Sequence, residues 1–186
     1  GKIKIDRAKN TKRGRLKSWP RFFVREKGRI MDCKVEIYQL SAEFMRDYPA
    51  EQYPELMCKW GRPYSCLLIE TMFDYYICIP YRSSIRHKNA YLFQETERSR
   101  RTKSGLDYTK MVLIRKQSYL DPTKVVVDQD EYTETVRNIR KIAEDAVGYL
   151  EGYIQHANGT QVLHPREYAR KYQYSTLPYF HDILNL

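Results

Sequence analysis

Apolar residues fall into short runs through the middle of the chain and take up a three- and four-residue repeat only in the last third. Short runs bounded by turn residues predict strands, and the longer repeat predicts an amphipathic helix. Residues 31–40, with Val35, Ile37 and Tyr38, form the first predicted strand. Ser41 is placed to cap a short helix reaching Asp47, and Pro49 and Pro54 restrict residues 50–60 to a second short helical piece. After the turn triplet Gly61-Arg62-Pro63, two apolar strands at 64–69 and 74–80 are joined as a hairpin through Glu70-Thr71-Met72-Phe73. Shorter strands are expected at 90–93, 111–114 and 125–127. Residues 94–104 are polar and free of hydrophobic periodicity, which predicts a mobile loop. Strands this short and this closely spaced predict a compact, curled antiparallel β-barrel.

Asp128 followed by Glu131 has the spacing of a capping box and opens the long helix. Its stripe is Val136, Ile139, Ile142, Ala143, Ala146, Val147, Leu150 and Ile154, and Asn158-Gly159 is its stop signal. Pro165 starts a further short helix through Tyr172, and residues 177–186 are expected to pack back on the body. The fold class is therefore α+β.

Charge changes this picture only when it is divided along the chain. The formal net charge is +10, yet residues 1–30 hold twelve Lys or Arg against two acids, so the remainder carries 21 of each. Residues 1–30 read either as a basic arm for nucleic acid or as an upstream extension, because the first orderly segment opens at Met31. Residues 31–186 read as one domain. No apolar run reaches membrane-spanning length and no signal-peptide pattern is present, so a cytoplasmic protein is expected. Cys33, Cys58, Cys66 and Cys78 lie in apolar contexts without metal-ligand spacing and read as buried free thiols; neither metal nor cofactor is expected.

Candidate chemistry concentrates where the apolar strand ending at Pro80 runs into Tyr81-Arg82-Ser83-Ser84-Ile85-Arg86-His87-Lys88. A rigid strand delivering a polar loop is a common way to present a reactive site, and His87 sits there among cations and hydroxyls. Between Arg82 and Lys110 eight basic residues stand against three acids. Lys88, Arg98, Arg100, Arg101 and Lys103 extend that basic segment, which suits RNA because cations neutralise phosphates while interleaved aromatics stack on bases. Tyr172 and Tyr174, flanked by Arg166, Arg170 and Lys171, form a second candidate RNA-binding group, with core packing as the alternative for the tyrosines. His156, His164 and His181 read as structural.

Ile79-Pro80-Tyr81-Arg82-Ser83-Ser84-Ile85-Arg86-His87, Tyr91-Leu92-Phe93 and Gly105-Leu106-Asp107-Tyr108-Thr109-Lys110 together resemble the toxins of type III toxin-antitoxin systems, the ToxN/AbiQ superfamily, nearest its CptN and TenpN branches. The resemblance covers roughly residue 31 to the end. It implies a MazF- and Kid-like, SH3-like barrel decorated by helices and a metal-independent endoribonuclease acting on cellular or phage RNA. It also implies a partner, a small RNA of tandem pseudoknot repeats that the toxin processes and binds in a closed ring, and a role in phage defence. One departure stands out: where ToxN has Thr-Ser-x-Lys, this chain has Arg82, Ser83, Ser84 and Ile85, so the cationic role passes to Arg82, Arg86 or Lys110.

Metal-free RNA cleavage needs the 2′-hydroxyl deprotonated, the phosphorane charge neutralised and the 5′-oxygen protonated. His87 is the candidate general acid or base, Arg82 and Arg86 the phosphate clamp, and Lys110 its completion from a separate strand. Ser83 and Ser84 either position the phosphate or only shape the turn after Pro80. The rival readings are a non-catalytic RNA-binding module using the same face and a purely structural interaction protein. A double-stranded DNA binder lacks any supporting motif.

Overall fold

The apolar run before Pro80 becomes the centre of the sheet in a computed structural model that describes residues 2–4, 35–57, 64–71, 73–123 and 125–186. Strand β4 (Tyr76–Arg82) pairs with β3 (Ser65–Glu70) as the expected hairpin, with Cys66 opposite Pro80 and Glu70 opposite Tyr76. Ile77, Cys78, Ile79 and Pro80 are buried in succession, so both faces of the strand are covered. On the outer side of β3 lie β2 (Glu36–Leu40) and the two-residue β8 (Leu120–Asp121). On the far side of β4 lie β6 (Gly105–Asp107) and then β5 (Ala90–Leu92), while β7 (Val112–Ile114) pairs with the first half of β4.

All of these pairings are antiparallel, and α+β is the fold class observed. The expected closed barrel is not: β5 and β8 are the edges of the path and are not hydrogen-bonded to each other, which leaves an open seven-stranded sheet. Each edge strand is paired on one side, β5 with β6 and β8 with β2.

Opposite β4 the neighbouring chain makes a detour. Arg82 and Tyr81 pair with Gly105 and Leu106, and Cys78 pairs with Val112, so three more residues separate the two halves on one side than on the other. The extra residues are the 3-10 turn Tyr108–Lys110. Pro80 faces this detour, in keeping with its inability to donate to a ladder.

Ser41 caps α1 (Ala42–Asp47) by accepting the Phe44 N–H, as expected, and the second helical piece shrinks to a 3-10 turn at Pro54–Leu56. Residues 94–104 hold a helix, α2 (Glu97–Thr102), rather than an irregular loop. Thr96 caps it by accepting the Ser99 N–H, and no residue of α2 is buried, which is why it has no hydrophobic period. Strand β9 (Val126–Asp128) leads into the long helix α3 (Gln129–Ala157). The expected capping box does not form, because the buried Glu131 carboxylate accepts the Ser104 hydroxyl at 2.6 Å instead of reaching back to the cap. At the helix start Glu131, Glu134 and Thr135 are buried and Val136 is exposed, so the buried stripe begins five positions before the apolar pattern does and is polar there.

Asn158 and Gly159 end α3, and Pro165 opens α4 (Pro165–Tyr172). The tail packs back through Leu177, Phe180 and Ile183, ending in α5 (His181–Leu184). Cys66 and Cys78 are buried free thiols; Cys33 and Cys58 lie outside the described residues. Of the basic first thirty residues, Lys2–Lys4 forms β1, antiparallel to β9, and the others lie outside the described residues. Among the described residues, no helix is long and apolar enough to cross a membrane.

Candidate active site

Pairing of β6 with the end of β4 sets Arg82 opposite Gly105 and brings Asp107 alongside. The Asp107 side chain accepts the Thr109 N–H at 3.0 Å and the Thr109 hydroxyl at 2.6 Å, and this local bonding turns β6 into the 3-10 turn. Its other oxygen accepts from the Arg82 guanidinium at 2.5 Å. His87 Nε2 stands 3.4 Å from the carboxylate and 3.5 Å from the Thr109 hydroxyl. One fully buried carboxylate thus holds an arginine, an imidazole and a hydroxyl.

Burial pushes the Asp107 carboxyl upward, but hydrogen bonds from His87 and Thr109 and the charges of His87 and Arg82 outweigh it and leave its pKa below the ordinary aspartate value. His87 Nδ1 is buried and has no hydrogen-bond partner among the described residues.

Backbone contacts fix the loop that carries His87. Ser84 takes a left-handed conformation (φ 59°), its N–H donates to the Thr102 carbonyl at 2.6 Å, and the Ile85 N–H donates to the Lys103 carbonyl at 3.2 Å. The Ile85 side chain is buried beneath the loop. The Asn89 amide donates to the Arg170 and Lys171 carbonyls at 3.5 and 3.3 Å, so the same loop is fastened to the C-terminal end of α4. Lys110 closes the other side: its ammonium is bonded to the Glu55 carboxylate and donates to the Tyr174 carbonyl at 2.6 Å.

These groups surround an open cleft of about 250 Å³ lined by Arg82, Ser84, Arg86, His87, Asn89, Thr109, Lys110, Arg170, Lys171 and Tyr174, with Ile85, Ala169 and Gln173. Every lining residue with a formal charge is cationic, although residues 31–186 as a whole are neutral. Arg82 and Lys110 are already paired with Asp107 and Glu55, and Arg86, Arg170 and Lys171 supply the surplus positive charge that suits an anion.

The two motifs of the sequence converge here, as do Arg170, Lys171 and Tyr174 of the second candidate group. Other candidates fall elsewhere. Ser83 is exposed at the turn and does not line the cleft, and the Ser84 N–H is consumed by Thr102, which leaves its hydroxyl as the only donor it can offer. Lys88, Arg100, Lys103 and Arg166 are exposed outside the lining. Arg98 pairs with Asp128 and Glu131, and Arg101 pairs with Glu97, on a separate groove between α2 and α3.

Tyr172 is not an RNA-facing ring. It is buried, donates its hydroxyl to the Tyr149 carbonyl at 2.9 Å and packs against Tyr149 and Tyr153. The remaining histidines are structural: His164 caps α4, His156 accepts the Leu163 N–H, and His181 bonds Tyr153.

Asp107, Thr109, Asn89 and Glu55 are site components that composition did not single out. The Asp-x-Thr spacing of a self-bonded turn is the local signal for the first two. No family model, curated protein or solved structure matches this chain.

Proposed function

We propose that the protein is a metal-independent endoribonuclease that cleaves RNA by transesterification. The observation that carries this reading is the wholly cationic cleft in which buried Asp107 holds both Arg82 and His87. In the reaction the ribose 2′-oxygen attacks phosphorus and loses its proton, the P–O5′ bond breaks, and the departing 5′-oxygen gains a proton. The products are a 2′,3′-cyclic phosphate and a 5′-hydroxyl. Arg82, oriented by Asp107, neutralises the developing phosphorane charge together with Arg86 and Lys110. His87 is the proton-transfer group of the proposed reaction, its Nε2 3.4 Å from the Asp107 carboxylate.

Membership of the type III toxin-antitoxin toxins, with a repeat pseudoknot RNA as inhibitor and a MazF- and Kid-like ancestry, belongs to the same proposal. That part rests on the two sequence motifs. It requires short tandem repeats and a terminator in the DNA immediately upstream of the gene.

One observation favours the rival binding module: His87 Nδ1 is enclosed and Nε2 faces Asp107 and Thr109, a geometry that also suits simple anion capture. An RNA-cleavage assay in excess EDTA separates the two. Wild-type protein is expected to cleave, leaving cyclic-phosphate ends, and His87→Ala to lose on the order of 10²–10⁴ in rate while still binding RNA. Arg82→Ala is expected to lose both cleavage and part of the binding. A folded, RNA-free wild-type protein that binds RNA without cutting it would establish the module instead.

A further inference from the structure

The cleft is smaller than the ligand it is proposed to serve. Its volume of about 250 Å³ lies below the roughly 300–1,000 Å³ of pockets that enclose drug-sized molecules. It is open to solvent on one side, so a nucleotide whose phosphate sits on the cations can extend its base toward the rim.

Tyr174 stands at that rim. It is 63% exposed, whereas Tyr149, Tyr153 and Tyr172 of the neighbouring cluster are buried and Tyr168 and Tyr179 are half-buried. An exposed aromatic ring that covers none of the core is unusual among such neighbours, and its position is fixed from the backbone: the Tyr174 carbonyl accepts from Lys110 Nζ at 2.6 Å, within the cationic floor. Thr176, two residues on, donates its N–H to the Thr109 carbonyl at 3.0 Å, so the chain carrying the ring is held against the site at both points. The ring hydroxyl accepts from the adjacent Gln173 amide at 3.4 Å, and no aromatic ring among the described residues stacks on Tyr174.

We infer that Tyr174 is a base-stacking platform that makes this cleft selective for unpaired RNA, taking one splayed nucleobase while its phosphate sits on Arg82, Arg86 and Lys110. This rests on the ribonuclease reading and adds the strand state of the substrate. A base held in a duplex stacks on its neighbours and cannot lie on a side chain, and the A-form major groove is too narrow for the site's cations to reach. Stacking on an aromatic ring tolerates any base, so the platform confers selectivity for strandedness rather than for sequence.

The test uses two probes. A fluorescein-labelled ten-nucleotide strand with 2′-deoxyriboses cannot transesterify and reports binding alone, by anisotropy; the matching RNA, single-stranded or annealed to its complement, reports cleavage. Tyr174→Ala is expected to weaken binding of the deoxy strand by about tenfold or more, while Tyr174→Phe, which keeps the ring, binds as wild type. Wild type is expected to cut the single strand and spare the duplex. Equal binding by Tyr174→Ala and wild type, or equal cleavage of duplex and single strand, overturns the platform. Tyr174-dependent binding with no cleavage of any RNA would leave the platform standing and remove the ribonuclease. Because the side chain is exposed, Tyr174→Ala is expected to melt within a few degrees of wild type, so lost binding is not lost fold.

Discussion

Asp107→Asn is expected to lower RNA cleavage about a hundredfold while the protein still folds, because the amide keeps the shape of the turn but releases both catalytic partners. Its oxygen still accepts the Thr109 N–H, whereas Arg82 loses its counter-charge and His87 the carboxylate beside its Nε2. Removing one member of a buried ion pair costs roughly 3–5 kcal/mol, and since Arg82 is 25% and His87 34% exposed, about 2 kcal/mol is the expected loss of stability.

The pH dependence has a definite sign. Because the folded-state pKa of Asp107 is depressed, its contribution is present above the unfolded value near ~3.9 and is lost as pH falls through the lower folded value. Urea midpoints of wild type and Asp107→Asn should therefore differ at neutral pH and converge as the pH falls below about 4. Identical midpoints at pH 7, or undiminished cleavage, would remove Asp107 from the centre of the site.

Gly105→Ala is expected to be the most disruptive single-methyl change. A β-carbon there would sit 2.1 Å from the Tyr91 carbonyl oxygen and 3.0 Å from Leu92 Cα, and both are backbone atoms of the paired strand that cannot swing aside. The β5–β6 ladder has to open at Leu92↔Gly105, and the displacement reaches Asp107 two residues along and Asn89 just before β5. Overpacking of this kind costs about 3 kcal/mol, and cleavage should fall with it. Gly148→Ala is the internal control. It lies in α3 with nothing within 4 Å of the added carbon, so it should gain up to about 1 kcal/mol through helix propensity. A Gly105→Ala protein as stable as wild type would show that β5 is not held where the geometry has it.

Most of the scaffold was legible because its elements announce themselves locally. The β3–β4 hairpin is two apolar runs around a turn, Ser41 and Pro165 sit at helix starts, and the apolar stripe of α3 repeats over about five turns. What escaped reading depends on contacts distant in sequence. Helix α2 buries nothing and so has no period, β8 is two residues long, and Glu131 forgoes its cap for Ser104, 27 positions away. Barrel closure is likewise a property of edge pairing, not of any one strand.

At the site, the cations were visible as a cluster, and Arg82, Arg86, His87 and Lys110 do share one cleft. Asp107 stood in the sequence as one of three acids in a basic segment and as part of the 105–110 motif, with no role of its own, and pairing with β4 is what makes it the hub. Tyr172 and Tyr174 are indistinguishable by composition; the turn after α4 puts one in the core and the other at the mouth.

The detour opposite Pro80 makes the chemistry separable from the strand register. If Tyr108, Thr109 and Lys110 were removed together, Asp107 would meet Pro80, Met111 would meet Ile79, and the ladder from Arg82 to Tyr76 would run unbroken without moving a pair. Loss of one or two of them would leave a bulge with no turn to fill it. The sheet accordingly has no need of the triplet, and the step it interrupts is one where proline already withholds a donor. The triplet is bound instead by what packs around it: Tyr108 is buried in the core, the Thr109 carbonyl accepts the Thr176 N–H and the Lys110 carbonyl accepts the Tyr64 hydroxyl, so the strand pairing could do without the segment while the core and the C-terminal tail could not.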